Sequence, residues 1–499
     1  MGFELPIDST VLTASALLVA GVLIAGSSSR FPIPASILSL GLGMLVGSDL
    51  LGWIYLDDAE LVRDIAVIAL VIILFEGGLT TKPGALRQGG PVGFLLSNLG
   101  VVITGGLVAL GVRTLLSTDW PTALVIGAVV SSTDAAAVFD LLRKAPLPRR
   151  VANILEVESG ANDPFAILLT IGILESLNGA QSASDWLAFG AAQLLGGLVL
   201  GGAVGLAGAR VLRLELGAEG FYPLMALGLA GTAYGLAAVV GGSGFMAVYV
   251  AGLVIGAQEH RHRRSIRGFH TSLASGADIA LFLLLGLLVF PSRLPAVALP
   301  ALAVAAVLVF VARPVAVFVC TVPFGLNWRE KAVLAWGGLR GAVPIVLATF
   351  PAAYGFAQGE VIFDVVFFVV LTSVLIQGTT MVPLVRRLGM AEGRPAWRSV
   401  AEVLPLTDSE FELAEVEIPA DLPIVGKPLA EAAAPDGVRV LAVVRDHRVL
   451  MPSGGFVIAA DDILVLAIDR EQARSFDLAG WIQDAGGSPT ADPGGVSER

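Results

Sequence analysis

Glu156-Val157-Glu158-Ser159-Gly160-Ala161-Asn162-Asp163-Pro164 lies inside an apolar segment, with Val151 to Leu155 before it and Phe165 to Leu174 after it. In a bilayer a carboxylate costs from about 3 to more than 10 kcal/mol, so something must offset these. On a helix Ser159 and Asp163 are four apart, as are Glu158 and Asn162, and the four side chains share one broad face. Pro164 has no N–H, so the carbonyl of Gly160 loses its helical donor and can turn to a cation or a water. Oxygen ligands gathered in this way suit a hard monovalent ion. Glue between helices explains a Ser/Asn pair, but not two or three acidic groups.

The surrounding chain is a membrane protein by composition. Of 499 residues 55% are hydrophobic and 15% charged, and mean hydropathy is +0.82, far above soluble averages. Cys320 is the single cysteine, which excludes an internal disulfide and a cysteine metal site. Glu4 and Asp8 without a nearby Lys or Arg argue for a retained first span over a cleaved signal. The net charge of −11 belongs to the tail, where residues 401–499 hold 18 Asp+Glu and 7 Lys+Arg. That balance fits a solvated domain and not a nucleic-acid binder.

Thirteen apolar runs are long enough to span, near 9–27, 33–53, 62–79, 91–116, 120–142, 151–177, 186–212, 221–240, 243–258, 272–290, 295–320, 330–351 and 361–385. The second and ninth are short enough to be tilted or broken. Every second loop is basic, as at Lys82 and Arg87, at Arg143 to Arg150 and at Arg261 to Arg267, which places the N-terminus outside and the tail in the cytoplasm. Six spans, a linker span and six more put the second half upside down relative to the first. Spans five and twelve then correspond, and both are interrupted, at Ser131-Ser132-Thr133-Asp134 and at Gly337-Gly338-Leu339-Arg340-Gly341. Unwound backbone at that depth belongs where it is packed or lines a cavity, so this pair of breaks marks a transport site.

Depth follows from helical rise. Arg340, Glu158 and Asp134 each lie eight or nine residues from a flanking basic residue, roughly 12 to 14 Å in at about 1.5 Å per residue. Arg340 therefore has Glu158 and Asp134 as partners to choose from, and Asp163, deeper, has none that is obvious. An unpaired carboxylate of this kind can exchange a proton for a cation near neutral pH. Asp278, near the inner end of span ten, is a candidate for the ion path, and Glu76 precedes two glycines near the inner loop.

These motifs, with Leu74-Phe75-Glu76-Gly77-Gly78-Leu79 and Gly337 to Val343, resemble the NhaP-type monovalent cation/proton antiporters. The tail, with Leu422-Pro423-Ile424-Val425-Gly426-Lys427 and Asp461-Asp462-Ile463-Leu464, resembles the C-terminal (TrkA-C, RCK-C) subdomain of potassium-transport regulators, and the combination resembles the potassium/proton branch. The resemblance implies Asp163 as the carboxylate that binds cation and proton in turn, with Asn162 holding its surroundings. It extends the cation site to Ser159, Glu76 and the carbonyl of Thr133, makes Asp134 a structural polariser, and pairs Glu158 with Arg340. It further implies one-for-one electroneutral exchange in a bacterial inner membrane, a homodimer, no cofactor, and a nucleotide or cyclic dinucleotide as ligand of the tail. Potassium against sodium stays open, since like oxygen ligands serve both.

The expected fold is an all-α polytopic membrane domain over 1–390, with about 13 helices in two inverted six-helix repeats. A linker at 391–408, a small α/β domain at 409–475 with strands near 411–418, 438–444 and 462–468, and a flexible tail at 476–499 complete it. A channel would repeat its filter around one axis, and an enzyme would need a nucleophile or metal cluster near the carboxylates, whereas the histidines fall at 260, 262, 270 and 447.

Overall fold

The computed structural model describes residues 8–27, 35–56, 59–81, 83–134, 137–138, 147–177, 183–215, 217–258, 262–356, 358–391, 400–405, 411–418, 422–431, 437–445 and 448–469. Two compact units divide the chain, Met1–Ala391 and Glu392–Arg499. In the first unit each apolar run contains helix among the described residues. In chain order the helices are α1 (Asp8–Ser27), α2 (Ala35–Val46), α3 (Ala59–Thr80), α4 (Pro83–Leu115), α5 (Trp120–Val129), α6 (Arg149–Leu177) and α7 (Ala183–Val211). They continue with α8 (Phe221–Val239), α9 (Gly244–Ala257), α10 (Arg263–Leu288), α11 (Leu294–Phe324), α12 (Trp328–Trp336), α13 (Ala342–Ala353) and α14 (Gly359–Arg387).

Among the described residues α4, α7, α8, α10, α11 and α14 are long and apolar enough to cross a membrane. The short members α2 and α9 have 12 and 14 residues. Long α3 and α6 fall outside that group because they carry charge, α6 alone holding Arg149, Arg150, Glu156, Glu158 and Asp163. Local chemistry starts the helices where the chain emerges from its turns: Asn327 and Glu330 form a reciprocal capping box at α12, and the Ser243 hydroxyl accepts from the Met246 N–H at α9.

The inverted repeat is written in the packing. α3 packs on α9 as α10 packs on α2, α4 on α6 as α11 on α14, and α1 on α2 as α8 on α9, which is the pattern a half-chain shift of seven spans produces. Glycines make the first pair of contacts. A β carbon at Gly78 would lie 2.3 Å from the Tyr249 carbonyl and one at Gly252 2.5 Å from that of Phe75, while β carbons at Gly43 and Gly286 would lie 2.3 Å from the carbonyls of Leu283 and Leu40. Both crossings thus bring backbone against backbone, as small residues allow in membranes. α4 and α11 also each contain a π turn, at Leu96–Gly100 and Leu308–Ala312. The stronger contacts stay within two groups, α1–α3 with α7–α10, and α4–α6 with α11–α14.

The second unit is an antiparallel sheet, β1 (Val400–Pro405), β2 (Phe411–Glu417), β3 (Val438–Arg445), β4 (Arg448–Leu450) and β5 (Ile463–Asp469), in the order β1-β2-β5-β3-β4. The three expected strands are β2, β3 and β5; β1 falls in the stretch read as linker, because Val400 to Leu404 pairs with β2 despite its neighbours' polarity. Val416, Ile418, Ile424, Val443, Leu464 and Leu466 form its core. The described residues of this unit contain no helix, and residues 470–499, including the expected tail, lie outside the described residues.

Candidate functional site

The helix α5 stops at Val129 and α12 at Trp336, and the two unwound segments meet: the Asp134 N–H donates to the Leu339 carbonyl at 2.7 Å. Among the described residues the ends of α5 and α12 and the start of α13 flank these breaks, and the end charges bear on which residues sit there. A helix C-terminus offers carbonyls and partial negative charge, an N-terminus N–H groups and partial positive charge. Arg340 Nη1 donates to the carbonyls of Ser131 (3.0 Å) and Ser132 (2.6 Å) just past the end of α5. Arg313 of α11 does the same for α12, with Nη2 3.1 Å from the Leu334 carbonyl, and Gln377 of α14 donates to that of Trp336 at 3.0 Å. At the opposite ends, Asp134 Oδ1 accepts from the Ala137 N–H at 3.3 Å where helix resumes, and its carboxylate lies on Gly341 at the start of α13, where a β carbon would be 2.4 Å from Oδ2.

This arrangement corrects the expected ion pair. Glu158 pairs with Arg313, through Arg313 Nη1 to Oε1 and Nη2 to Oε2, the latter at 2.9 Å, and not with Arg340. The physical reason is orientation: Arg340 turns Nη1 to the carbonyls just past the end of α5, whereas both terminal nitrogens of Arg313 meet the glutamate. Depth measured along a sequence ranks residues by height and says nothing of which arginine faces the glutamate. Arg313 escapes the sequence reading, although a lone arginine within an apolar run, Val307 to Cys320, is the signal that intramembrane charge gives. Its side chain lies over Gly338, where a β carbon would be 2.5 Å from Nε, so one glycine of the second break makes room for it.

α6 brings the rest. Asn162, buried, donates from Nδ2 to Thr133 Oγ1 at 2.6 Å and to the Thr133 carbonyl at 3.3 Å, tying α6 to the first break. Asp163 is half-buried beside it, with the Ser132 hydroxyl and the Asp134 carboxylate the groups that act on it. Ser159 lies one turn before Asp163 on the same helix, also half-buried. Asp278 of α10 is half-buried and within electrostatic reach of Asp134. Glu76 of α3 accepts from the Thr271 hydroxyl of α10 at 3.0 Å, with Arg267 nearby. No described hydrogen bond or ion pair joins Glu76 to the Asn162–Thr133 pair. The structure thus brings together Thr133, Asp134, Asn162, Asp163 and Arg340, while Asp278, within electrostatic reach of Asp134, and Glu76 are carried by α10 and α3 of the other group of helices.

A sodium/hydrogen exchanger transmembrane family model matches residues 15–387, and a TrkA-C domain model matches residues 413–478. The chain is 36% identical over 465 residues to the K(+)/H(+) antiporter NhaP2 of Shewanella sp. (strain MR-4), covering 92% of this chain and 81% of that one. The K(+)/H(+) antiporter NhaP of Alkalimonas amylolytica matches at 36% over 472 residues with the same coverage. The Na(+)/H(+) antiporter NhaS2 of Synechocystis sp. matches at 27% over 348 residues, covering 66% and 63%. Among solved structures, the sodium proton antiporter MjNhaP1 of Methanocaldococcus jannaschii at pH 8 superposes with a TM-score of 0.69 and 25% identity, over 77% of this chain and 99% of that one. With the family model covering the membrane unit and relatives 36% identical along 92% of the chain, the protein belongs to the sodium/hydrogen exchanger family, a polytopic monovalent cation/proton antiporter that carries a TrkA-C domain behind its membrane unit.

Proposed function

We propose that the protein exchanges potassium, in preference to sodium, for protons one for one, by competition of cation and proton for Asp163. The observation that carries this reading is the half-buried carboxylate of Asp163 placed beside the crossing of the two breaks by the Asn162–Thr133 hydrogen bonds. Charges around it support the stoichiometry. Arg313 is balanced by Glu158 and Arg340 stands with Asp134 at the crossing, so one further carboxylate can alternate between a proton and a cation. In this reading Ser159, the Thr133 carbonyl and Glu76 add oxygen ligands, Asn162 holds the Thr133 side of the site, Asp134 polarises the crossing, and Asp278 lies on the ion path. The preference for potassium rests on the names of the relatives that match along 92% of the chain.

The alternating basic loops support an orientation with the N-terminus outside and the tail in the cytoplasm, in the inner membrane of a bacterium. We read the protein as a homodimeric carrier and not an enzyme, needing no cofactor, with its sheet domain regulating exchange in response to a nucleotide or cyclic dinucleotide. Exchange in everted vesicles, with K+ and Na+ each at several pH values, tests the function. Asp163→Asn abolishes exchange at normal yield in this reading, and proton-coupled exchange by that variant would sink it. A lower KM for Na+ than for K+ would overturn the selectivity.

A further inference from the structure

Tyr249, in the middle of α9, is 4% exposed, and its hydroxyl points at the ion-bearing face of α6. A β carbon at Gly160 would lie 2.4 Å from Oη and 2.8 Å from the adjoining ring carbons, so the absence of a side chain at 160 admits the phenol to the helix. Glu156, Gly160 and Asp163 follow at i, i+4 and i+7 along one stripe, and the charges of Glu156 and Asp163 both act on the tyrosine. The Thr81 hydroxyl, which donates to the Gly77 carbonyl at 2.6 Å and keeps its lone pairs, stands near enough to act on the phenol, but Tyr249 Oη has no partner of full hydrogen-bonding geometry. A buried phenol without a partner is costly, and this one sits a single turn from Asp163. It also sits at the boundary between the two groups of helices, where α9 meets α6.

We propose that Tyr249 Oη is the oxygen ligand that α9 contributes to the transported cation, a selectivity-determining residue facing Asp163 from the opposite group of helices. The phenol suits that role because it is neutral, so it replaces one water of the ion's hydration shell without adding a charge that would disturb one-for-one exchange. A hydroxyl oxygen keeps two lone pairs that can face a cation, whichever way its O–H turns.

This rests on exchange at Asp163, and the test separates the two. Purified full-length protein is compared with Tyr249→Phe in proteoliposomes, with K+ and Na+ as probes, alongside cation-dependent thermal stabilisation in detergent. Losing one oxygen ligand raises KM about three- to tenfold, with the larger part of the loss in kcat/KM falling on KM, and moves the half-stabilising cation concentration by a like factor. The KM ratio of the two cations changes as well. Gly160→Ala, which displaces the oxygen and keeps the phenol, gives the same direction of change and serves if the phenylalanine variant does not fold. An active Y249F with unchanged KM for both cations, or one that loses kcat alone, overturns the proposal while leaving Asp163 in place. Inactive wild-type protein would instead strike at the exchange reading.

Discussion

Arg313 and Glu158 have side-chain exposures of 3% and 2%, so each depends on the other for its only full charge compensation among the described contacts. Removing one partner of such a pair costs about 3 to 5 kcal/mol, because the other charge stays buried alone. Glu158→Gln and Arg313→Met each therefore lower the melting temperature in detergent, and the double variant recovers much of the loss. Glu158→Gln with Arg340→Met gives losses that add, since Arg340 holds carbonyls and not the glutamate. A double-mutant cycle on purified protein measures both couplings; coupling to Arg340 alone would restore the pairing that the resemblance implied. The resemblance found the right glutamate, and the choice between two arginines lay in three dimensions.

At the scale of elements, the symmetric glycine contacts set how closely helices approach. Overpacking costs about 1 to 3 kcal/mol where nothing can give way, and backbone cannot. Gly43→Ala and Gly252→Ala, whose β carbons would meet carbonyls at 2.3 and 2.5 Å, lower thermal stability, while Gly41→Ala, with nothing within 4 Å, does not. In the sheet the joining contact is Arg445, whose Nε and Nη2 donate to Asp462 at 2.7 Å each, with the Ala459 N–H also donating at 2.7 Å. Burial acts to raise the Asp462 carboxyl, but the Arg445 fork, the Ala459 N–H and the guanidinium charge together outweigh it and hold the group below its ordinary value. A carboxyl depressed in the folded state stabilises above its unfolded value near about 3.9 and loses that contribution as pH falls through the folded one. Protection of β3 and β5 amides in hydrogen exchange should therefore fall below about pH 4 in the full-length protein, and Arg445→Met should remove protection already at neutral pH. Equal protection in both proteins across that range would show that the pair does not hold the sheet.

For the whole molecule, every residue of the proposed ion site lies in the unit Met1–Ala391, and the unit Glu392–Arg499 holds the sheet. Ending the chain near Arg398 should leave a folded antiporter whose pH or ligand dependence is altered, as pH profiles of exchange in proteoliposomes with and without nucleotides will measure. Loss of transport at normal yield would place the second unit inside the transport cycle, and superimposable profiles would leave it no regulatory part.

Apolar run length, the alternation of basic loops and two interrupted spans were enough to read a helical membrane unit with inverted halves, because hydropathy and backbone hydrogen bonding act along the chain and bilayer constraints are read one segment at a time. Strand β1 was hidden for the converse reason: its pairing comes from β2, a neighbour, and not from its own pattern. The partner of Glu158, the Thr271 hydroxyl on Glu76 and the approach of Tyr249 to Gly160 were decided by the tertiary structure alone. Each depends on which face a helix turns to another, and that is settled by glycine contacts and by the partial charges of half-helix ends at the two breaks.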